Sequence, residues 1–133
     1  MILDSSAVIA ILRQEPEAGR FAKAIESAPA CRISAVSFVE TAAVIDSEKN
    51  PVASRRLDDL LQRAEVEIMP VTPEQARLAR EAYLHFGRGS GHPAKLNLGD
   101  CFTYALAASA GEPLLCKGDE FLKAGLTLAQ RQE

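Results

Sequence analysis

Tryptophan is absent from the 133 residues, aromatic side chains make up only 5%, and there are just two histidines and three cysteines. Each scarcity excludes something. Cys31, Cys101 and Cys116 are an odd set with no C-x-x-C pair, so a disulfide framework is not expected. Reduced, mostly buried thiols are, and they point to the cytoplasm. His85 and His92 stand at no metal-binding spacing from these cysteines, which leaves zinc without a ligand set. The longest unbroken apolar run, Ala7–Leu12, falls far short of the about 20 residues that a membrane-spanning helix needs. Asp4 sits where a secretory leader would carry basic residues, and no long apolar region follows it, so no leader is expected. Charge of one sign is lacking too. With 15 basic and 18 acidic residues the net charge is -3, so no protein-wide positive field attracts nucleic acid. Any binding of phosphate must rest on a local patch or a metal ion.

What is present is the balance of an ordinary globular domain, 47% hydrophobic and 25% charged. The length fits one domain over residues 1-133. Met1-Ile2-Leu3 reads as a strand, broken at Asp4-Ser5-Ser6 by a helix start with Ser5 or Ser6 as cap. Helices are expected over Ala7–Arg13 and Glu17–Ser27, a strand at Cys31–Ile33, then helices over Ala35–Glu48 and Val52–Ala64, the last opened by Asn50-Pro51. Val66–Val71 reads as a third strand. Thr72-Pro73-Glu74-Gln75 is a strong helix start, and that helix runs to about Phe86. Gly87–Leu98 is the one long loop. A helix over Gly99–Ala110, a strand at Pro113–Cys116 and a short helix ending near Gly125 complete the order βααβααβααβα. Strands alternating with helical segments imply an α/β fold with a parallel sheet covered on both faces. Ligands of such sheets bind beyond the carboxyl ends of the strands.

That rule draws attention to four carboxylates. Asp4 directly follows the first strand, and Asp119 follows the last after a short turn. Asp100 lies in the first turn of the helix before that last strand, and Glu40 in the first half of the helix after the second. If they converge, they repel by roughly 4 kcal/mol per pair at 4 Å and an effective dielectric near 20. A hard divalent cation, Mg²⁺ or Mn²⁺, is the natural partner of an all-oxygen site. Each residue also has a purely structural reading. Asp4 or Asp119 could cap a helix, Glu40 could close a capping box with Ser37, and Asp100 could serve the first turn of a helix capped by Asn97.

Other acidic α/β chemistries fit poorly. Asp-x-Asp after the first strand, which phosphatases of the haloacid dehalogenase type require, is broken by Ser6, which cannot act as the acid. Gly87-Arg88-Gly89-Ser90-Gly91 follows a helix and lacks the Gly-Lys-Ser/Thr ending of a P-loop. The loop is either a plain surface connection or a basic flap in which Arg88, His92 and Lys95 contact phosphates.

Four segments then carry a resemblance. MILDSSA at the start, SAVSFVETA around Glu40, LNLGDCFTYALA around Asp100 and LLCKGDEF around Asp119 resemble a PIN-domain ribonuclease, and more narrowly the VapC toxins of bacterial toxin–antitoxin pairs. The similarity covers essentially the whole chain. It implies a three-layer α/β/α sandwich with a central, mostly parallel sheet, Mg²⁺-dependent cleavage of RNA, a homodimer, and neutralisation by a VapB antitoxin. The family's metal ligands fall on Asp4 and Asp100, and its acidic position in the third helix on Glu40. Asp119 is the expected fourth carboxylate, with Glu120 as the alternative. One ion at Asp4 and Asp100, or a second nearer Glu40 and Asp119, would assist in-line attack of water on the phosphodiester. Ser6 would either hold a water or carboxylate beside the ion or cap the helix. Two other readings stay open: a catalytically silent partner within an antitoxin–DNA complex, and a metal-dependent nuclease outside any toxin–antitoxin pair.

Overall fold

A computed structural model of the chain describes residues 1–129. Its elements are β1 (Ile2–Leu3), α1 (Ser5–Leu12), α2 (Ala18–Ser27), β2 (Arg32–Ser34), α3 (Ala35–Asp46), α4 (Pro51–Arg63), β3 (Glu67–Met69), α5 (Pro73–Phe86), α6 (Leu98–Ala110), β4 (Leu114–Leu115) and α7 (Glu120–Lys123). This is the order expected from the pattern, with shorter third and fourth strands. The sheet runs β3-β2-β1-β4 and every pairing is parallel. Ile2 pairs with Arg32 and Leu114, and Leu3 with Ile33 and Leu115.

Successive residues of a strand point to opposite faces, and the core divides accordingly. Leu3, Ile33 and Leu115 pack with Val8, Phe21, Ile45 and Leu57 from α1 to α4. Ile2 and Leu114 pack instead with Ala79 and Ala82 of α5 and with Cys101, Ala105 and Leu106 of α6. The result is helix, sheet, helix in three layers. Each fully buried Leu or Ile contributes about 1.5–3 kcal/mol, so the short strands are held mainly by what lies on their faces. Among the described residues no helix is long and apolar enough to cross a membrane.

The helix starts follow local chemistry. Thr72 accepts from the Gln75 amide and Asn50 from the Val52 amide, each followed by proline in the first turn. The first helix is capped by Asp4, the structural role open to it, whose Oδ2 accepts from the Ser6 amide at 3.0 Å; Ser5 and Ser6, the other cap candidates, lie inside the helix. The third begins after Ser34, which accepts from the Val36 amide. Glu40 therefore sits inside α3, where the capping box with Ser37 cannot form.

Topology locates the functional end. The chain steps outward from β1 to β2 to β3, then returns to place β4 on the other side of β1. The order reverses between β1 and β4, and the crevice beyond their carboxyl ends is where such sheets bind ligands. Asp4 leaves β1 at that point, its amide donating to the Leu115 carbonyl at 3.0 Å.

Candidate active site at the carboxyl end of the sheet

Two carboxylates form the centre of the crevice, and hydroxyls behind them fix one. Asp4 is buried at 3% exposure. Its Oδ2 is taken by the Ser6 amide, and its Oδ1 accepts from Thr103 Oγ1 at 2.8 Å. Thr103 is joined in turn to Ser37 Oγ at 2.8 Å. Thr103 follows Asp100 by three residues on α6 and Ser37 precedes Glu40 by three on α3, so each hydroxyl lies one turn from a carboxylate on the same face. Sequence reading missed both hydroxyls. The i,i+3 spacing was the available signal, but it gains meaning only once α3 and α6 are known to meet across Asp4.

Asp100 is held by a capping box. Its amide donates to Asn97 Oδ1 at 2.7 Å while its own Oδ2 accepts from the Asn97 amide at 2.9 Å. Asp100 thus serves the first turn of α6, yet this occupies only one of its oxygens. Burial pushes the Asp100 carboxyl up to about 6; the Asn97 hydrogen bond opposes this, and the charges of Asp4, Glu120 and Glu40 add to the rise. Glu40 is raised as well, by burial first and then by Asp4. The other end of the sheet is the reverse case. There Glu112 meets the Met1 ammonium at 2.9 Å and also Arg32, and its carboxyl is lowered, chiefly by the hydrogen bond from the ammonium. Glu112 at the amino end has cations, whereas Asp4, Glu40 and Asp100 at the carboxyl end crowd one another.

The remaining acidic residues flank the centre unequally. A cleft of about 500 Å³ is lined by Asp4, Ser6, Asp100, Asp119 and Glu120, with Arg88, Lys95, Lys117 and Lys123 on its walls. Glu40 does not line it: its carboxylate lies against Gly99 in the first turn of α6. Of the pair Glu40 and Asp119, only Asp119 therefore lines the cleft. Asp119 begins α7 without a side-chain cap bond, is 58% exposed and pairs with Lys123 at 3.4 Å. Glu120, not Asp119, is the residue of this turn whose charge reaches Asp100.

Ser6 accepts from the Lys117 amide at 3.0 Å, tying α1 to the turn after β4. The glycine-rich loop is pinned where its ends meet: the Leu96 amide donates to the Phe86 carbonyl at 2.8 Å and the Arg88 amide to the Leu96 carbonyl at 2.9 Å, with Ala94 and Leu96 fully buried. Arg88 and Lys95 face the cleft, and neither side chain has an ion-pair partner among the described residues. His92 does not line it. Its ring stands edge-on to Phe86 and its Nδ1 accepts from the Ala94 amide at 3.0 Å, so it braces the loop.

The donors suit a hard cation. All are oxygens, and burial pushes the nearby thiols of Cys101 and Cys116 up to about 11 and about 12, away from the thiolate that soft metals require. Among the described residues no three His, Cys, Asp or Glu side chains converge closely enough to enclose an ion on their own. Mg²⁺ does not need that; it is commonly bound through one or two carboxylates and keeps several waters.

Comparison with known proteins agrees with this architecture. The PIN domain family model matches residues 1–125. Ribonuclease VapC28 of Mycobacterium tuberculosis is 54% identical over 129 residues, 97% of each chain. Ribonuclease VapC42 of the same species is 46% identical over 121 residues, covering 91% of this chain and 92% of that one. In three dimensions the chain resembles the crystal structure of M. tuberculosis VapC20, a sarcin-ricin loop cleaving toxin. That match has a TM-score of 0.74, 16% identity and 95% coverage of both chains, and it speaks to the fold alone. The switch point between β1 and β4, the crowded aspartates and these full-length relatives agree: the chain belongs to the PIN-domain family, among the VapC ribonucleases.

Proposed function

We propose that the chain is a divalent-metal-dependent endoribonuclease and the toxin of a VapBC toxin–antitoxin pair, working in the cytoplasm as a homodimer that a VapB antitoxin neutralises. The observation that carries the catalytic reading is the Asp4–Asp100 pair, crowded at the switch point of the sheet inside a cleft whose walls are cationic. The relatives' activity supports RNA as the substrate.

Asp4 and Asp100 are the residues that would hold Mg²⁺, or Mn²⁺ in its place, each through an oxygen with free lone pairs. When bound, the ion supplies a Lewis acid that activates water and offsets charge on the phosphoryl oxygens. Thr103 and the Ser6 amide fix the plane of the Asp4 carboxylate, and the Asn97 box fixes Asp100. Ser6 acts at one remove, through the Lys117 amide. Glu40 and Glu120 set the negative potential on the two flanks. Glu120 is favoured over Asp119 as the fourth carboxylate because Asp119 is engaged by Lys123 while the Glu120 charge acts on Asp100. Arg88 and Lys95 would hold phosphates along the strand, positioning it without reading sequence.

Brief induction of the chain followed by sequencing of RNA 5′ ends tests this reading. New ends at a small set of sites with the wild type, and none with Asp4→Asn, are expected. Equal cleavage by Asp4→Asn would overturn the catalytic assignment, and an unchanged RNA population would overturn the activity.

A further inference from the structure

Gly99 is the second residue of α6, and nothing in its backbone demands glycine: it is helical, without the left-handed φ of Gly111 or Gly118. Glycine is a poor helix residue, disfavoured against alanine by its conformational freedom. What requires it here lies across the helix interface. A Cβ at position 99 would stand 2.5 Å from Cδ of Glu40 and overlap both its carboxylate oxygens. The Glu40 carboxylate thus occupies the space that any other residue would fill. It lies against the turn that carries Asp100, one residue further on. Gly118 beside Glu120 is less informative, because its φ of 95° already accounts for glycine.

We propose that Gly99 is a positioning residue: its missing side chain admits the Glu40 carboxylate to the first turn of α6 and so sets the distance of Glu40 from the Asp4–Asp100 pair. The inference rests on the reading that Asp4 and Asp100 hold the ion, with the Glu40 charge beside them adding to its attraction. A methyl group would meet the far end of a long, flexible side chain. The expected consequence is therefore a displaced carboxylate, with the fold kept.

A double-mutant cycle separates this effect from a general disturbance of the helix. Mn²⁺ binding to metal-free protein is measured by titration calorimetry for the wild type, Gly99→Ala, Glu40→Ala and the double variant, with thermal melts in chelator alongside. Gly99→Ala should weaken Mn²⁺ binding about tenfold, the scale seen when groups around a metal's direct ligands are changed. In the Glu40→Ala background the same substitution should leave affinity unchanged and raise the melting temperature, because alanine then fits the helix. Wild-type affinity in Gly99→Ala, or equal weakening in both backgrounds, overturns the proposal. Wild-type affinity in Glu40→Ala overturns the reading beneath it, because the Glu40 charge then contributes nothing to holding the ion. If Gly99→Ala alone does not fold, folding restored in the double variant supports the proposal, and a double variant that also fails to fold overturns it.

Discussion

Replacing Asp100 by asparagine should make the metal-free protein more stable while disabling it. The substitution keeps the shape and an oxygen to accept the Asn97 amide, so the cap of α6 survives. It removes a charge that burial and three neighbouring carboxylates disfavour. Raising a carboxyl from 3.8 to about 6 corresponds to at most about 3 kcal/mol above pH 6, and solvent in the open cleft reduces that to about 1–2 kcal/mol. For a chain of this size the gain is about 3–10 °C in melting temperature. The pH dependence has a definite sign. Between about pH 4 and 6 the folded protein keeps a proton that the unfolded chain has released, so wild-type stability falls as pH rises through that window. The asparagine variant lacks the Asp100 part of this slope and keeps the part due to Glu40, whose carboxyl is raised by burial and by Asp4. Melts in chelator should coincide near pH 4 and separate above pH 6, with the variant higher. Mn²⁺ at a hundredfold excess over its Kd should add about 2.7 kcal/mol to the wild type and little to the variant, closing or reversing the gap. A variant no more stable than the wild type at pH 8 in chelator, or a gap that persists at pH 4, would refute the crowding argument.

Thr103→Val keeps the side-chain shape but removes the hydroxyl between Asp4 and Ser37. It should cost about 1–3 kcal/mol in a denaturant melt and about tenfold in Mn²⁺ affinity by calorimetry. Arg88→Ala with Lys95→Ala should weaken RNA binding at all sites alike and lower its salt slope by about 1–2, with Mn²⁺ affinity unchanged. His92→Ala should leave that slope intact and instead lower the melting temperature, because the loop loses its Ala94 and Phe86 contacts. In cleavage assays Glu120→Gln should lose about tenfold or more while Asp119→Asn stays near wild type; the opposite order would return the fourth position to Asp119.

Most of the fold was legible because its signals are local. Thr72-Pro73 and Asn50-Pro51 announce helix starts through a side-chain acceptor and a fixed φ, and the alternation of short apolar runs with helical periods gave the element order. Boundaries were less legible. Asp4, Ser5 and Ser6 are all good caps, and only β1 ending at Leu3 gives the position to Asp4. The crevice could be anticipated from Asp4 and the turn near Asp119, since both leave strands in the same direction. The crossover that puts β4 beside β1 is a tertiary fact. So are the ion pair that occupies Asp119, the nearness of Glu120 to Asp100, and the space that Gly99 leaves for Glu40. In the sequence His92 is one of three basic residues in a glycine-rich loop; its contact with Phe86 exists only where the loop folds back.

On the proposed reading, Asp4 and Asp100 together hold the divalent ion on which RNA cleavage depends. That reading is tested most directly by cleavage of a defined RNA pool by the wild type, Asp4→Asn and Asp100→Asn, each titrated with Mg²⁺ after chelation. The account predicts cleavage by the wild type that rises with Mg²⁺ and vanishes in chelator, and none by either folded variant at any concentration. Cleavage that persists in chelator, or that either variant sustains at the wild-type rate, would contradict it.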